Sequence, residues 1–421
     1  MKYKKNRKPN IILIVIDSLR ADKLSCYGYH KSTSPNIDKI SEKSILFKNA
    51  FASAPWTLPS HTSLFTGKFP LKHGVDNINN FLDNKNITLA ETLSGIGYDT
   101  IGLANNGWLS KSTNLNKGFN KFYEKPKKNS NLIEMAKDYI KKKKEKPFFL
   151  FMNLMDVHMP YIPDKSLFKD FELDKYNKER INYLQKEFVT YRVFPEKLSK
   201  EDLKILNKLY DASLATVDKK IGQFNNFLKK EVEDYILIIT SDHGEEIGEH
   251  ISEGIYGHWL CLYDTLLRVP LIIYDSKKEK RKKISKLAQQ HNLFYTILEY
   301  CGKKIKEKKL FKNCKYVFSE HEHPKKSIEY IHKLNKNFGY EDIKCAKKSI
   351  RSKKYKYILY ENGKEKLFNI SNDCYERKNL INKEIKLKKK LKNKIFKKLG
   401  HFDESHSTKN DIKFEDSIKK D

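Results

Sequence analysis

The run IILIVI at 11–16 is apolar without alternation and mostly β-branched, the pattern of a strand buried on both faces of a parallel sheet. It stops abruptly at Asp17. The same figure returns in YDTIGLANN (98–106), PFFLFMNLMDVH (147–158), YILIITSDHGE (235–245) and VPLIIYD (269–275), and most of these runs end in polar residues. Between them, SPNIDKISEKS (34–44) and LYDASLATVDKKIGQFNNFLKK (209–230) carry apolar residues at helical spacing. Strands that alternate with helices predict an α/β chain: a mainly parallel sheet covered on both faces. In such sheets ligands bind beyond the carboxyl ends of the strands, where Asp17, Asn105, His158, Asp242 and His243 fall.

The pattern changes after about residue 305. KCAKKSIRSKKYKYILYENGKEKLFNI (344–370) alternates around YKYILY and then meets an Asn-Gly turn and a second short run, which is a hairpin signal. The chain therefore divides into a large domain over 1–305, a smaller C-terminal α+β subdomain over 306–400, and a polar tail over 401–421 expected to be disordered. INKEIKLKKKLKNKIFKKLG (381–400) sets Ile381, Ile385, Leu391, Ile395 and Leu399 roughly on one side. This helix is expected to dock on the small sheet.

Composition adds bounds. The 421 residues hold 84 Lys+Arg against 53 Asp+Glu, a formal charge of +31, which draws anions toward the surface. The excess is mostly lysine, spread along the chain. With no Arg-rich arm, helix-turn-helix signature or aromatic-studded basic strand, no nucleic-acid partner is expected. Cys26, Cys261, Cys301, Cys314, Cys345 and Cys374 form no Cys-x-x-Cys pair, so they read as reduced thiols rather than a zinc site or disulfide framework. The apolar run in MKYKKNRKPNIILIVIDSLRAD is too short for a signal sequence or a membrane span. A cytoplasmic location with no transmembrane segment is the expectation.

The chemistry centres on SDHGEEIGEH (241–250), where Asp242 and His243 follow a buried strand. A carboxylate beside an imidazole suits a divalent ion, Mg, Mn, Ca or Zn. Asp17, at the end of the first strand, can join them in a doubly wound sheet; its alternative role is to cap the next helix.

Six segments then fall into a familiar order: PNIILIVIDSLRADKLSCYGY (9–29), TLPSHTSLFTGKFPLKHGV (57–75), MNLMDVHMPY (152–161), SDHGEEIGEH (241–250), GHWLCLYDTLLRVPLII (257–273) and IRSKKYKYILYENGKEKLFNISNDCYERKNL (350–380). Together they resemble the sulfatase family of the alkaline phosphatase superfamily over nearly the whole chain. The resemblance implies an alkaline-phosphatase-like α/β/α sandwich with a small C-terminal sheet, and metal-assisted attack on a sulfate, phosphate or phosphonate ester. Family sulfatases place Cys or Ser ahead of x-Pro-x-Arg and convert it to a formylglycine nucleophile. Counting back from Thr66-Gly67, that position is Thr57, with His61 where the arginine belongs.

Threonine cannot become formylglycine, so Thr57 more closely resembles the unmodified threonine of phosphodiesterases and of phosphoethanolamine or phosphoglycerol transferases in the superfamily. Ser53 is a weaker candidate because its distance to Thr66-Gly67 is wrong. By the same resemblance Asp17, Thr57, Asp242 and His243 are the ligands of one divalent metal ion, although Ser18 stands where many members have a second acid. His158 is similar to the family histidine that faces the transferred group. His258 lies near the family's Lys or His, one residue farther from Arg268 than usual, and is a candidate leaving-group acid. His61 is either a donor to the anion or a helix cap, and Asn105 is a candidate at the pocket rim. The expected substrate is a small anionic ester or a glycan or lipid head group, cleaved by water or passed to a second alcohol. A non-catalytic binder of anionic glycans is the alternative, and the intact quartet argues against it.

Overall fold

The computed structural model describes residues 8–402 apart from 125–130, 143–145, 259, 306–309, 312–313 and 337–341; the predicted tail lies outside the described residues except for its first two positions. Strand β1 (Asn10–Ile16) sits near the middle of a nine-stranded sheet with β2 (Ile45–Phe51), β3 (Asp99–Ala104), β4 (Lys121–Glu124), β5 (Phe148–Leu154), β6 (Tyr235–Thr240), β7 (Arg268–Val269), β8 (Leu271–Asp275) and β9 (Lys282–Gln289). The order is β4-β3-β5-β1-β6-β8-β2-β7, with β9 also paired to β2. Alternate residues of β1 serve two cores. Ile12, Ile14 and Ile16 pack with the long helix Lys200–Glu231, whereas Ile11, Leu13 and Val15 share a cluster with the helices Thr57–Thr66 and Leu293–Tyr300. Continuous apolarity thus means burial on both sides, as the sequence pattern predicts.

The half of the sheet that holds β4, β3, β5, β1 and β6 is wholly parallel. The run at 269–275 departs from that pattern: β8 lies antiparallel to β6, with Thr240 opposite Leu271. The reason is geometric. A parallel return needs a crossover to the opposite end of the sheet, whereas residues 241–270 leave and re-enter at the same end.

A second sheet contains β10 (Val317–His321), β11 (Lys347–Arg351), β12 (Tyr355–Tyr360) and β13 (Glu365–Asn369), antiparallel in that order. The β12–β13 turn places Gly363 at φ +84°, the left-handed region that glycine enters without a Cβ penalty. The C-terminal helix Ile385–Leu399 buries Leu391 and Ile395 in one cluster with Ile350, Tyr357, Leu359 and Leu367, so it docks on the small sheet as expected. Phe51, Leu262, Leu266, Val317, Ile358 and Phe368 fall in one cluster that joins this unit to the large sheet.

Candidate active site

Four adjacent strands, β3-β5-β1-β6, deliver polar side chains at or just beyond their carboxyl ends. Asp17 follows β1, and Ser18 turns the chain at once through φ +60°. The Ser18 amide donates to Asp242 Oδ1 at 3.3 Å and its carbonyl accepts from Tyr210 Oη at 2.8 Å, which lock this uncommon turn. After β6, Ser241 Oγ accepts from the Leu19 amide at 2.9 Å and so stitches the two strand ends together. The loop continues through Gly244, where a Cβ would stand 1.9 Å from the Thr265 carbonyl oxygen; only glycine fits against that backbone.

The result is a tight cluster: one ligand atom each from Asp17, Asp242 and His243 lies within 4.8 Å of the others, and all three residues are buried. His243 Nδ1 is 2.8 Å from the Gly244 carbonyl oxygen, an arrangement that keeps the proton on Nδ1 and leaves Nε2 as a lone pair. That lone pair faces Asp242 Oδ2 at 3.3 Å and Asp17 Oδ1 at 3.6 Å. Asp242 Oδ2 has no hydrogen-bond partner among the described residues. Acceptors turned on one another repel unless a cation or proton stands between them. Burial and the Asp17 charge push the Asp242 carboxyl up to about 7. Burial also pushes Asp17 upward, but His158, His243 and His61 outweigh it and hold Asp17 below its ordinary value. Two oxygen donors and one imidazole fit a divalent cation.

Thr57 opens the helix Thr57–Thr66, and Pro59 is compatible with its first turn. Its Oγ1 is 3.3 Å from His243 Nε2. The same oxygen lies 3.4 Å from Asn106 Nδ2, which donates to Asp17 Oδ2 at 3.0 Å. Asn153 Nδ2 donates to the same carboxylate oxygen at 3.1 Å. The place of Thr57 at the helix start sets its hydroxyl at the positive end of the helix dipole. Ser53, by contrast, is engaged by His291 Nδ1 at 2.7 Å.

The histidines divide by position. The His258 ring lies tilted 4.4 Å from His243 and edge-on 5.0 Å from His158, centroid to centroid, so both predicted candidates border the cluster. His158 Nδ1 donates to its neighbour's carbonyl, Met159 O, at 2.5 Å. His258 Nδ1 lies 2.9 Å from Glu245 Oε1. Burial, followed by His243, Arg192 and His158, drives His258 well below its usual range; burial, opposed by Arg192, raises Glu245 well above its own. His61 is turned inward: its Nδ1 sits 3.0 Å from Thr57 O and 3.4 Å from Asp242 Oδ2, and it packs edge-on to Phe65 and Phe151. It thus lies behind Asp242, fully buried.

Asn105, expected at the pocket rim, is exposed, and its buried neighbour Asn106 is the residue that reaches the cluster. Sequence reasoning also missed Asn153, Glu245 and Arg192. Asn153 had a signal, a lone amide inside an otherwise apolar buried strand. Glu245 had a weaker one, in the acid pair after the Asp-His-Gly turn. Arg192 had none: it comes from the helix Phe188–Val193, in a stretch without a motif, and acts electrostatically on both Glu245 and His258.

Comparison with known proteins agrees with this architecture. A family model described as Sulfatase matches residues 9–303. The chain belongs to the sulfatase family. An arylsulfatase of Clostridium perfringens is 26% identical to this sulfatase chain over 453 residues, covering 90% of this chain and 91% of that protein. The crystal structure of the phosphonate monoester hydrolase of Agrobacterium radiobacter superposes with a TM-score of 0.74 at 18% identity, covering 92% and 95% of the two chains. BT4656, solved with its substrate D-glucosamine-2-N,6-O-disulfate, gives a TM-score of 0.68 at 18% identity and covers 93% of this chain and 97% of that one. Among the described residues, no helix of this sulfatase is long and apolar enough to cross a membrane.

Proposed function

We propose that the chain hydrolyses an anionic ester of sulfur or phosphorus with Thr57 as the attacking group. One observation carries the reading: a buried hydroxyl at a helix start, 3.3 Å from His243 Nε2, beside two buried carboxylates that share one cluster with that imidazole. Asp17, Asp242 and His243 would hold a divalent cation. Such an ion supplies Lewis acidity, lowering the pKa of a nearby hydroxyl and balancing the charge of the transferred group.

The chain's own residues do the rest. Asn106 fixes the Thr57 oxygen against Asp17, and the amides of the helix start offer hydrogen bonds to negative charge. Attack joins the Thr57 oxygen to the central sulfur or phosphorus and breaks the bond to the departing oxygen, and the proton lost from Thr57 Oγ1 is taken up by the neutral neighbouring imidazoles and delivered through His258 or His158 to that oxygen, which leaves as an alcohol. Water then cleaves the Thr57 ester and restores the hydroxyl. An unmodified threonine places phosphate and phosphonate esters ahead of sulfate esters. The phosphonate monoester hydrolase and the arylsulfatase among the relatives support both ester classes as substrates for trial. Thr57→Ala is expected to lose on the order of 10³-fold or more in turnover of nitrophenyl phosphodiester and sulfate esters, with an unchanged circular dichroism spectrum. Undiminished turnover would reject the assignment.

A further inference from the structure

Glu245 follows Gly244, just beyond the Asp242-His243 pair, and is fully buried. A buried carboxyl is costly unless its oxygens are hydrogen-bonded. Its Oε1 meets His258 Nδ1 at 2.9 Å, while Oε2 has no hydrogen-bond partner among the described residues. A carboxyl that served only to hold the loop together would be expected to satisfy both oxygens. The backbone sets this contact. Glu246 and Gly257 exchange N–H to O hydrogen bonds of 2.9 Å in both directions, an isolated antiparallel bridge. The next pair along it is Glu245 with His258, whose side chains share one face. Gly257 takes φ +86°, and a Cβ there would stand 2.8 Å from Met159 Cε, so glycine lets the bridge close against the residue that follows His158.

The ring that Glu245 grips lies between two other histidines, 4.4 Å from His243 and 5.0 Å from His158. With Nδ1 engaged, Nε2 is the nitrogen left to exchange a proton. We propose that Glu245 is a positioning residue that holds His258 by Nδ1, so that His258 rather than His158 gives the departing oxygen its proton. The proton-transfer clause rests on the ester-hydrolase reading above; the holding clause does not. His158 Nδ1 meets the neutral Met159 carbonyl, whereas a carboxylate balances the positive charge that an imidazole gains with a second proton. The step balances. The proton lost from Thr57 Oγ1 reaches His258 Nε2 and leaves from it on the alcohol oxygen, while the proton between Nδ1 and Oε1 stays in that hydrogen bond.

The test compares the full-length wild type with Glu245→Leu, Glu245→Gln and His258→Gln on paired phenyl and nitrophenyl esters of one acid. Nitrophenolate departs without a proton, and phenoxide needs one. Glu245→Leu is expected to lower kcat for the phenyl ester ~10–100-fold and for the nitrophenyl ester much less, with KM little changed. Glu245→Gln should recover part of the loss, because its amide oxygen still accepts from Nδ1; being isosteric, it also gives the same comparison if Glu245→Leu does not fold. Adding Glu245→Leu to His258→Gln should cost little beyond His258→Gln alone. Equal losses on the two esters, or additive losses in the double variant, would overturn the proposal. So would leaving-group sensitivity in His158→Gln with none in His258→Gln. Proton–nitrogen correlation spectra of the histidine rings read the holding clause without turnover: the His258 signal, assigned by its loss in His258→Gln, should report one tautomer in the wild type and a mixture in Glu245→Leu. An unchanged signal would overturn that clause. If the wild type turns over no ester, the hydrolase reading fails while the spectra still decide the role of Glu245.

Discussion

Asn105 and Asn106 show how finely a site is specified at the scale of single residues. One position separates an exposed side chain from one that bridges Asp17 and Thr57. Groups that orient a ligand or nucleophile typically contribute ~10–100-fold when removed, so Asn106→Ala is expected to lower kcat by about that factor. Asn105→Ala should leave steady-state kinetics unchanged. Asp17, Thr57, Asp242, His243, His158 and His258 were all legible, because each sits beside a strand end or in a segment whose order resembles a family. The partners that hold them were not. An amide donor such as Asn153, or a charge such as Arg192, owes its effect to which strands become neighbours, and a lone sequence does not state that.

At the scale of elements, the parallel strands β3, β5, β1 and β6 followed from hydrophobic pattern, and the β12–β13 hairpin from that pattern with its Asn-Gly turn; the edge strand β4 gave no such signal. The antiparallel direction of β8 did not follow either, since it depends on where the loop before it returns. Strand β10 adds a tether that periodicity also conceals: Glu320 Oε1 accepts from the Leu71 amide at 2.8 Å, which ties the small sheet to the segment after the Thr57 helix. Burial raises the Glu320 carboxyl to about 7, above its unfolded value. The folded chain therefore binds the extra proton between those values, and this group's contribution to stability declines as pH rises through that window and stays unfavourable above it. Glu320→Gln keeps an acceptor for Leu71 without the charge. Urea denaturation should find the variant equal to the wild type near pH 4 and more stable by roughly 1–3 kcal/mol near pH 8.

For the whole molecule, the cluster of Asp17, Asp242 and His243 links the ends of β1 and β6, two strands at the centre of the large sheet. A cation there would bind the folded state alone, adding ~2.7 kcal/mol at a free concentration 100 times its dissociation constant. Treatment with EDTA should therefore abolish turnover and lower the melting temperature together, and readdition of Mn, Mg, Ca or Zn should restore both. A melting temperature indifferent to all four ions would count against the cluster as a cation site.

The rung at which Thr240 stands opposite Leu271 has a wider bearing. Between Ser241 and Pro270 the chain is pinned again and again: Arg268 and Val269 pair with β2, Gly257 bridges Glu246, and Asp264 meets Arg351 and Lys356 of the small sheet. Within that span, Asp242 and His243 near one end and His258 midway keep their station through short contacts to β1 and to each other. Ile255 and Tyr256 are buried and Glu253 pairs with Lys366 of β13, so a change of length near 251–256 is expected to loosen the seat of the small sheet as well as the loop. The return loop thereby couples the carboxyl end of β6, where Asp242 and His243 sit, to the C-terminal sheet.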